Sequence, residues 1–291
     1  MLNIPCFFHV RRLAALVALT SLAACGCANC TVPAFTGPPG SGPVTPSSAC
    51  SQGASAIVLG PALAPFAVLA GSAVSNVGNT LVTYGPGAVT GGTNDDLIGA
   101  WPGSSVTGFY PPGTDTDGTN AIYAAGYNPN TAVPQAAQGA LTTAYNTAAG
   151  KPGATTVAGD LGGLTLTPGI YKSTSTLLIQ SGNLTLNGLG NPQSVFIFQI
   201  GSGLTTVLNG TAGGNVILEN GASACNIYWQ VGSSATLGGA TFYGNVFAFS
   251  SITINATTFT GRALAGGSAL GDGAVSIPVV GGSLITNPGG Q

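Results

Sequence analysis

Short runs of Val, Ile, Leu, Phe and Thr, separated by glycine, recur from about residue 57 to residue 287. Such alternation predicts strands with one buried face, and the glycines predict the turns between them. After Lys151 nearly every segment reads this way. One earlier stretch departs from the pattern. Pro134 suits the first turn of a helix, where its missing N–H is harmless, and Gly150 suits its stop. Between them Ala137, Leu141, Ala144, Tyr145 and Ala148 share one face at helical spacing. This narrow face of small residues predicts a helix over about 134–149 packed closely on a sheet.

The strand pattern also repeats. Ser233-Ser234-Ala235-Thr236-Leu237 corresponds to Ser250-Ser251-Ile252-Thr253-Ile254, and Thr241-Phe242-Tyr243-Gly244 to Thr258-Phe259-Thr260-Gly261, always 17 residues apart. A second offset, of 31, maps Phe196-Ile197-Phe198-Gln199-Ile200 onto Ile227-Tyr228-Trp229-Gln230-Val231 and Thr205 onto Thr236. The two offsets chain Thr205, Thr236 and Thr253. Seventeen residues are too few for a propeller blade and too many for one hairpin, but suit one coil of a parallel β-solenoid with short faces. Coils stack about 4.8 Å apart, so equivalent positions form ladders along the axis. The apolar neighbours of each Thr alternate with it and point inward when it points out.

Composition narrows the function. Charged residues make up 4% of the chain and the net charge is −2, so it lacks the basic footprint of a nucleic-acid binder. Beyond Arg11 and Arg12 the cations are Lys151, Lys172 and Arg262, and the acids are Asp95, Asp96, Asp115, Asp117, Asp160, Glu219 and Asp272. None of the acids falls on the repeat ladder, and carbohydrate cleavage needs paired carboxylates or a base with a partner. Asp115-Thr116-Asp117-Gly118 lacks the later ligands of a calcium loop, and Asp160 reads as a turn former. Neither enzyme, cofactor nor metal site is expected. Stacked threonines present a methyl and a hydroxyl at fixed spacing with a stiff χ1. Such an array can hold ordered water, although Thr is also common in strands for its β propensity alone.

Arg11 and Arg12 precede an apolar run, Leu13 to Ala24, that is too short to span a bilayer and reads as an export signal. Leu22-Ala23-Ala24-Cys25 resembles a bacterial lipoprotein signal, in which Cys25 would carry the lipid; an ordinary secretory signal is the alternative. The expected organisation is a signal over 1–24, a flexible tether rich in Pro, Gly, Ser and Thr over 25–56, a folded domain over 57–287 and a tail over 288–291. Within the domain, 79–131 could form a loop-rich cap. The protein is expected outside the cell, secreted or held at the membrane by the lipid. Cys27 or Cys30 could pair with Cys50, and Cys225, beside Ile227-Tyr228-Trp229, is expected as a buried thiol. The one histidine, His9, leaves with the signal, which argues against a metal site at the clustered cysteines.

Several motifs together resemble the microbial ice-binding (antifreeze) proteins with a discontinuous β-solenoid. They are Leu59-Gly60-Pro61-Ala62, Phe66-Ala67-Val68-Leu69-Ala70-Gly71-Ser72, Leu141-Thr142-Thr143-Ala144-Tyr145-Asn146 and Gly159-Asp160-Leu161-Gly162-Gly163-Leu164-Thr165-Leu166-Thr167-Pro168-Gly169-Ile170-Tyr171. Val195 to Ile200, Trp229 to Gly232 and Gly261 to Ala265 complete the set. The resemblance covers roughly 57–287. It implies a mainly β chain: a right-handed parallel solenoid of triangular section, with one long helix alongside and N-terminal strands interleaved with later coils. It also implies a flat face of short side chains that adsorbs ice; the chain is expected to be a monomer. Carried over, Thr205, Thr236 and Thr253 fall on that face, joined by Ser75, Thr176 and Ser276, with Asn255, Thr241 and Thr258 beside them. Thr90-Gly91-Gly92-Thr93 fits a motif of some relatives, whereas the later coils carry Thr236-Leu237-Gly238-Gly239 and Asn255-Ala256-Thr257-Thr258. Cysteines that relatives carry near Ala154 and Lys172 are missing. A carbohydrate-binding or adhesive domain is the alternative, with Tyr84, Trp101, Phe109 and Tyr110 as candidate sugar platforms.

Overall fold

A computed structural model describes residues 50–85, 96–116, 118–157, 159–206, 213–266 and 273–289. The export signal, Cys25, Cys27, Cys30, Asp95, Asp117, Asp272 and the Thr90-Gly91-Gly92-Thr93 motif lie outside the described residues.

The alternating segments form parallel strands stacked in a 12-stranded, a 7-stranded and a 3-stranded sheet. The 17-residue repeat is one coil. Thr236 pairs with Thr253, and Phe242 with Phe259, in register. The 31-residue offset is another, pairing Phe198 with Trp229 and Thr205 with Thr236. The stack is discontinuous in sequence. Phe66–Ala70, Ala73–Asn76 and Leu81–Tyr84, near the start of the fold, pair with Thr258–Ala265, Ala274–Ile277 and Leu284–Asn287, near its end. Residues 79–131 carry further short strands, among them Leu97–Ala100 and Ser105–Thr107, that extend these sheets. Phe109 from this region is buried in the main core.

The helix Ala132–Ala149 then returns the chain to the far edge, where Thr155–Thr156 pairs with Gly169–Ser173. Its 18 residues span about 27 Å at 1.5 Å rise each, the height of roughly five or six stacked strands. Gly150 caps it, and Pro134, Ala137, Leu141, Ala144, Tyr145 and Ala148 are its buried face.

Two cores result. Inside the coils, Phe198 stacks on Trp229 with centroids 3.9 Å apart, and Phe242 on Phe259 at 5.9 Å. Outside them, the helix covers Ile197, Tyr228, Phe247, Leu264 and Leu69, which point away from the coil interior. Long strands Thr241–Ala248 and Thr258–Ala265 bend between two sides of the stack at the paired Gly244 and Gly261. A Cβ on Gly244 would meet the Trp229 indole nitrogen at 2.6 Å, and its φ of 118° is itself unfavourable for other residues.

The cysteine expectation is overturned. Cys225 is not a free buried thiol but is bonded to Cys50, so Cys50 pairs with neither Cys27 nor Cys30. The cause is tertiary. Residues that read as the end of a tether dock on the turn before Ile227: the Gly53 N–H donates to Asn226 Oδ1 at 3.2 Å, and Asn226 Nδ2 donates to the Ser51 carbonyl at 2.8 Å. The folded part thus includes Cys50, and Ile57 is already fully buried.

Candidate functional site

The 7-stranded sheet is built from Leu177–Ile179, Leu204–Thr206, Ala235–Leu237, Ile252–Ile254, Ala274–Ile277, Ala73–Asn76 and Ser105–Thr107. Each strand alternates strictly. Leu204, Ala235, Leu237, Ile252, Ile254, Val275 and Val74 are buried, and the residue between them faces out. Register therefore makes one outward row: Leu178, Thr205, Thr236, Thr253, Ser276, Ser75 and Thr107. A parallel row two positions earlier holds Thr176, Gly203, Ser234, Ser251, Ala274, Ala73 and Ser105. None of these outward residues is charged.

Thr205, Thr236, Thr253, Ser276 and Ser75 are thus brought together, and Asn255 lies beside them at the next outward position, its N–H bonded to Leu237 O. Thr176 is on the same face but in the parallel row, because Leu178 pairs with Thr205 and takes the ladder position. One expectation fails. Thr241 and Thr258 pair with each other in the 12-stranded sheet, since the chain turns a corner at Gly238-Gly239 before reaching them. Thr107, which the sequence reading missed, extends the ladder next to Ser75.

The two rows differ chemically. In the serine row the Ser251 N–H donates to Ser234 Oγ at 3.3 Å, and the Ala274 N–H to Ser251 Oγ at 3.5 Å. Among the described residues no protein group takes the ladder hydroxyls of Thr205, Thr236 and Thr253, so these face solvent beside their methyls. Rows about 6.6 Å apart and strands about 4.8 Å apart make a flat grid on which waters can occupy fixed sites.

The acids do not converge on this face. Asp96 and Asp115 are buried near the strands of the 79–131 region, where the Thr116 hydroxyl donates to Asp96. Asp160 ties a turn together: the Gly162 N–H donates to its Oδ1 at 2.8 Å, the Gln180 N–H to the same oxygen and the Ser181 N–H to its Oδ2. Burial pushes this carboxyl up, but those backbone donors and the Ser181 side chain outweigh it and hold it below the usual range. Among the described residues no group of three or more His, Cys, Asp or Glu lies together.

A family model described as ice-binding-like matches residues 68–275. An ice-binding protein of a Nostoc species is 40% identical over 219 residues, 74% of this chain and 71% of that protein. Among solved structures, an ice binding protein from an Antarctic biological consortium is 40% identical with a TM-score of 0.65, covering 82% of this chain and 94% of that one. An ice-binding protein from an Arctic yeast is 28% identical with a TM-score of 0.64, over 81% and 96% of the two chains.

Proposed function

The chain belongs to this ice-binding-like family, and on that premise we propose that it adsorbs to ice crystals through the face of the 7-stranded sheet. One observation carries the choice of face: Thr205, Thr236 and Thr253 stand in register, half exposed, on strands whose alternate residues are locked in the core. The β-branched side chains and the stacked backbone hold methyls and hydroxyls in place before ice arrives, so little ordering is needed on contact. Ser276, Ser75, Thr107 and Asn255 enlarge the same plane. Adsorbed molecules pin the growth front, which lowers the freezing point below the melting point and slows recrystallisation. The protein acts without catalysis and as a monomer. It works outside the cell, and a lipid on Cys25 would hold it at the membrane.

Nanolitre osmometry of the purified protein tests this reading. It predicts thermal hysteresis and faceted crystals. No hysteresis, no shaping and no recrystallisation inhibition at high concentration would overturn it.

A further inference from the structure

A different side of the stack carries a second set of outward threonines. Register in the 12-stranded sheet aligns Tyr243, Thr260, Thr286 and Thr83 in one row, and Thr241, Thr258, Leu284, Leu81 and Thr114 in the row beside it. Thr260, Thr286 and Thr83 form a run as long as Thr205, Thr236 and Thr253 on the flat face. Tyr243, Thr260 and Thr286 also line a groove of about 230 Å³, together with Cys50 and Pro288.

A second observation is independent of the threonines. Exposed large apolar side chains gather where this side meets the flat face. Val77 and Val280, 57% and 82% exposed, sit in the two loops that lead from one side to the other, and Leu81 and Leu284, 38% and 40% exposed, follow them. The loops are stacked: a Cβ on Gly78 would meet the carbonyl oxygens of Val279 and Val280. An apolar patch of this kind marks a surface that is covered in use. What covers it is indicated by continuity. After the Ile252–Ile254 strand of the flat face the chain turns through Asn255-Ala256-Thr257 and enters the second side at Thr258, so an uncharged corner joins the two threonine rows.

We propose that the side bearing Thr258, Thr260, Thr286 and Thr83, with Leu81, Leu284 and Val280 at its edge, is a second ice-contacting surface. It meets crystal planes that the flat face does not. This rests on the ice-binding reading above. The threonine methyls cage water and the adjacent hydroxyls anchor it, as on the first face.

Fluorescently labelled full-length protein, adsorbed to a single-crystal ice hemisphere, tests the assignment. Leu81→Lys/Leu284→Lys changes two exposed positions, and Val280→Glu supplies an independent variant; thermal melts confirm that both fold. Each is expected to lose label from one set of planes and to keep the rest. Thr236→Tyr/Thr253→Tyr should lose the complementary set. A pattern identical to wild type in both corner variants would overturn the proposal. So would a wild-type dimer in sedimentation that Leu81→Lys/Leu284→Lys dissociates without altering the label pattern, since the patch would then serve self-association. Absence of label from wild type would instead remove the ice-binding reading itself.

Discussion

The helix-covered side and the flat face are made by the same coils, yet one is sealed and the other bare. On the covered side the outward residues are Ile197, Tyr228, Phe247, Leu264 and Leu69, and the chain spends a helix on burying them. On the flat face the outward residues are mostly Thr and Ser, with Gly203, Ala274, Ala73 and Leu178 among them, and among the described residues no helix packs on them. The inward residues are apolar on both sides. What separates the helix-covered side from the flat one is therefore the residue that alternates outward. Polar groups reinforce the division. Gln138 donates to the Ala265 carbonyl at 3.2 Å, and Gln199 to the Ala148 and Lys151 carbonyls at 2.9 and 2.8 Å, fastening helix to sheet. Among the described residues the ladder hydroxyls of Thr205, Thr236 and Thr253 bond no protein group.

The contrast can be broken from the covered side first. Cys50–Cys225 closes a loop of 175 residues and anchors the segment that leads to Ile57 in the helix-side core. Replacing it with Cys50→Ser/Cys225→Ala should cost about 5 kcal/mol on the chain-entropy account, lowering Tm by roughly 10–20 °C at ~2–4 °C per kcal/mol; calorimetry checks this. Hysteresis measured below the new Tm should be retained. Leu141→Ala removes a fully buried helix contact and should cost ~2–5 kcal/mol, whereas Thr236→Ala should stay within about 0.5 kcal/mol. Denaturant titration of the two variants compares the sides directly.

Smaller changes sharpen the picture. Leu178 is half exposed at the edge of the ladder and interrupts it. Leu178→Thr should raise hysteresis modestly with little change in Tm. Asp160 contributes a pH effect remote from ice. Its folded pKa is depressed, so its stabilising contribution is present above the unfolded value of about 3.9. That contribution is lost as pH falls through the folded pKa. Asp160→Asn should flatten the acid limb of Tm against pH and leave hysteresis at neutral pH unchanged.

Much of this was legible in the sequence, for reasons that particular residues make plain. The helix face from Ala137 to Ala148 and the coil pairs at 17 and 31 residues are set by local periodicity, which survives folding. Thr205, Thr236 and Thr253 follow from those offsets. An offset, however, says which residues stack and not on which side. Thr241 and Thr258 do stack on each other, but past the corner at Gly238-Gly239. Thr176 reaches the same face one row over, because its coil is spaced differently and Leu178 meets Thr205. Thr107 belongs to a three-residue strand with no repeat partner in the sequence. The disulfide depends on where residues 50–56 dock, which no local pattern records.

The central claim is that the bare Thr row, and not the family scaffold in general, holds ice. Thermal hysteresis of Thr236→Tyr/Thr253→Tyr beside wild type, at equal concentration and with matching thermal melts, tests it most directly. The account predicts that most of the hysteresis is lost while Tm stays within a few degrees, because two rings would stand proud of a plane that contributes little to the fold. Hysteresis equal to wild type in a correctly folded variant would contradict it and place the ice-binding surface elsewhere on the molecule.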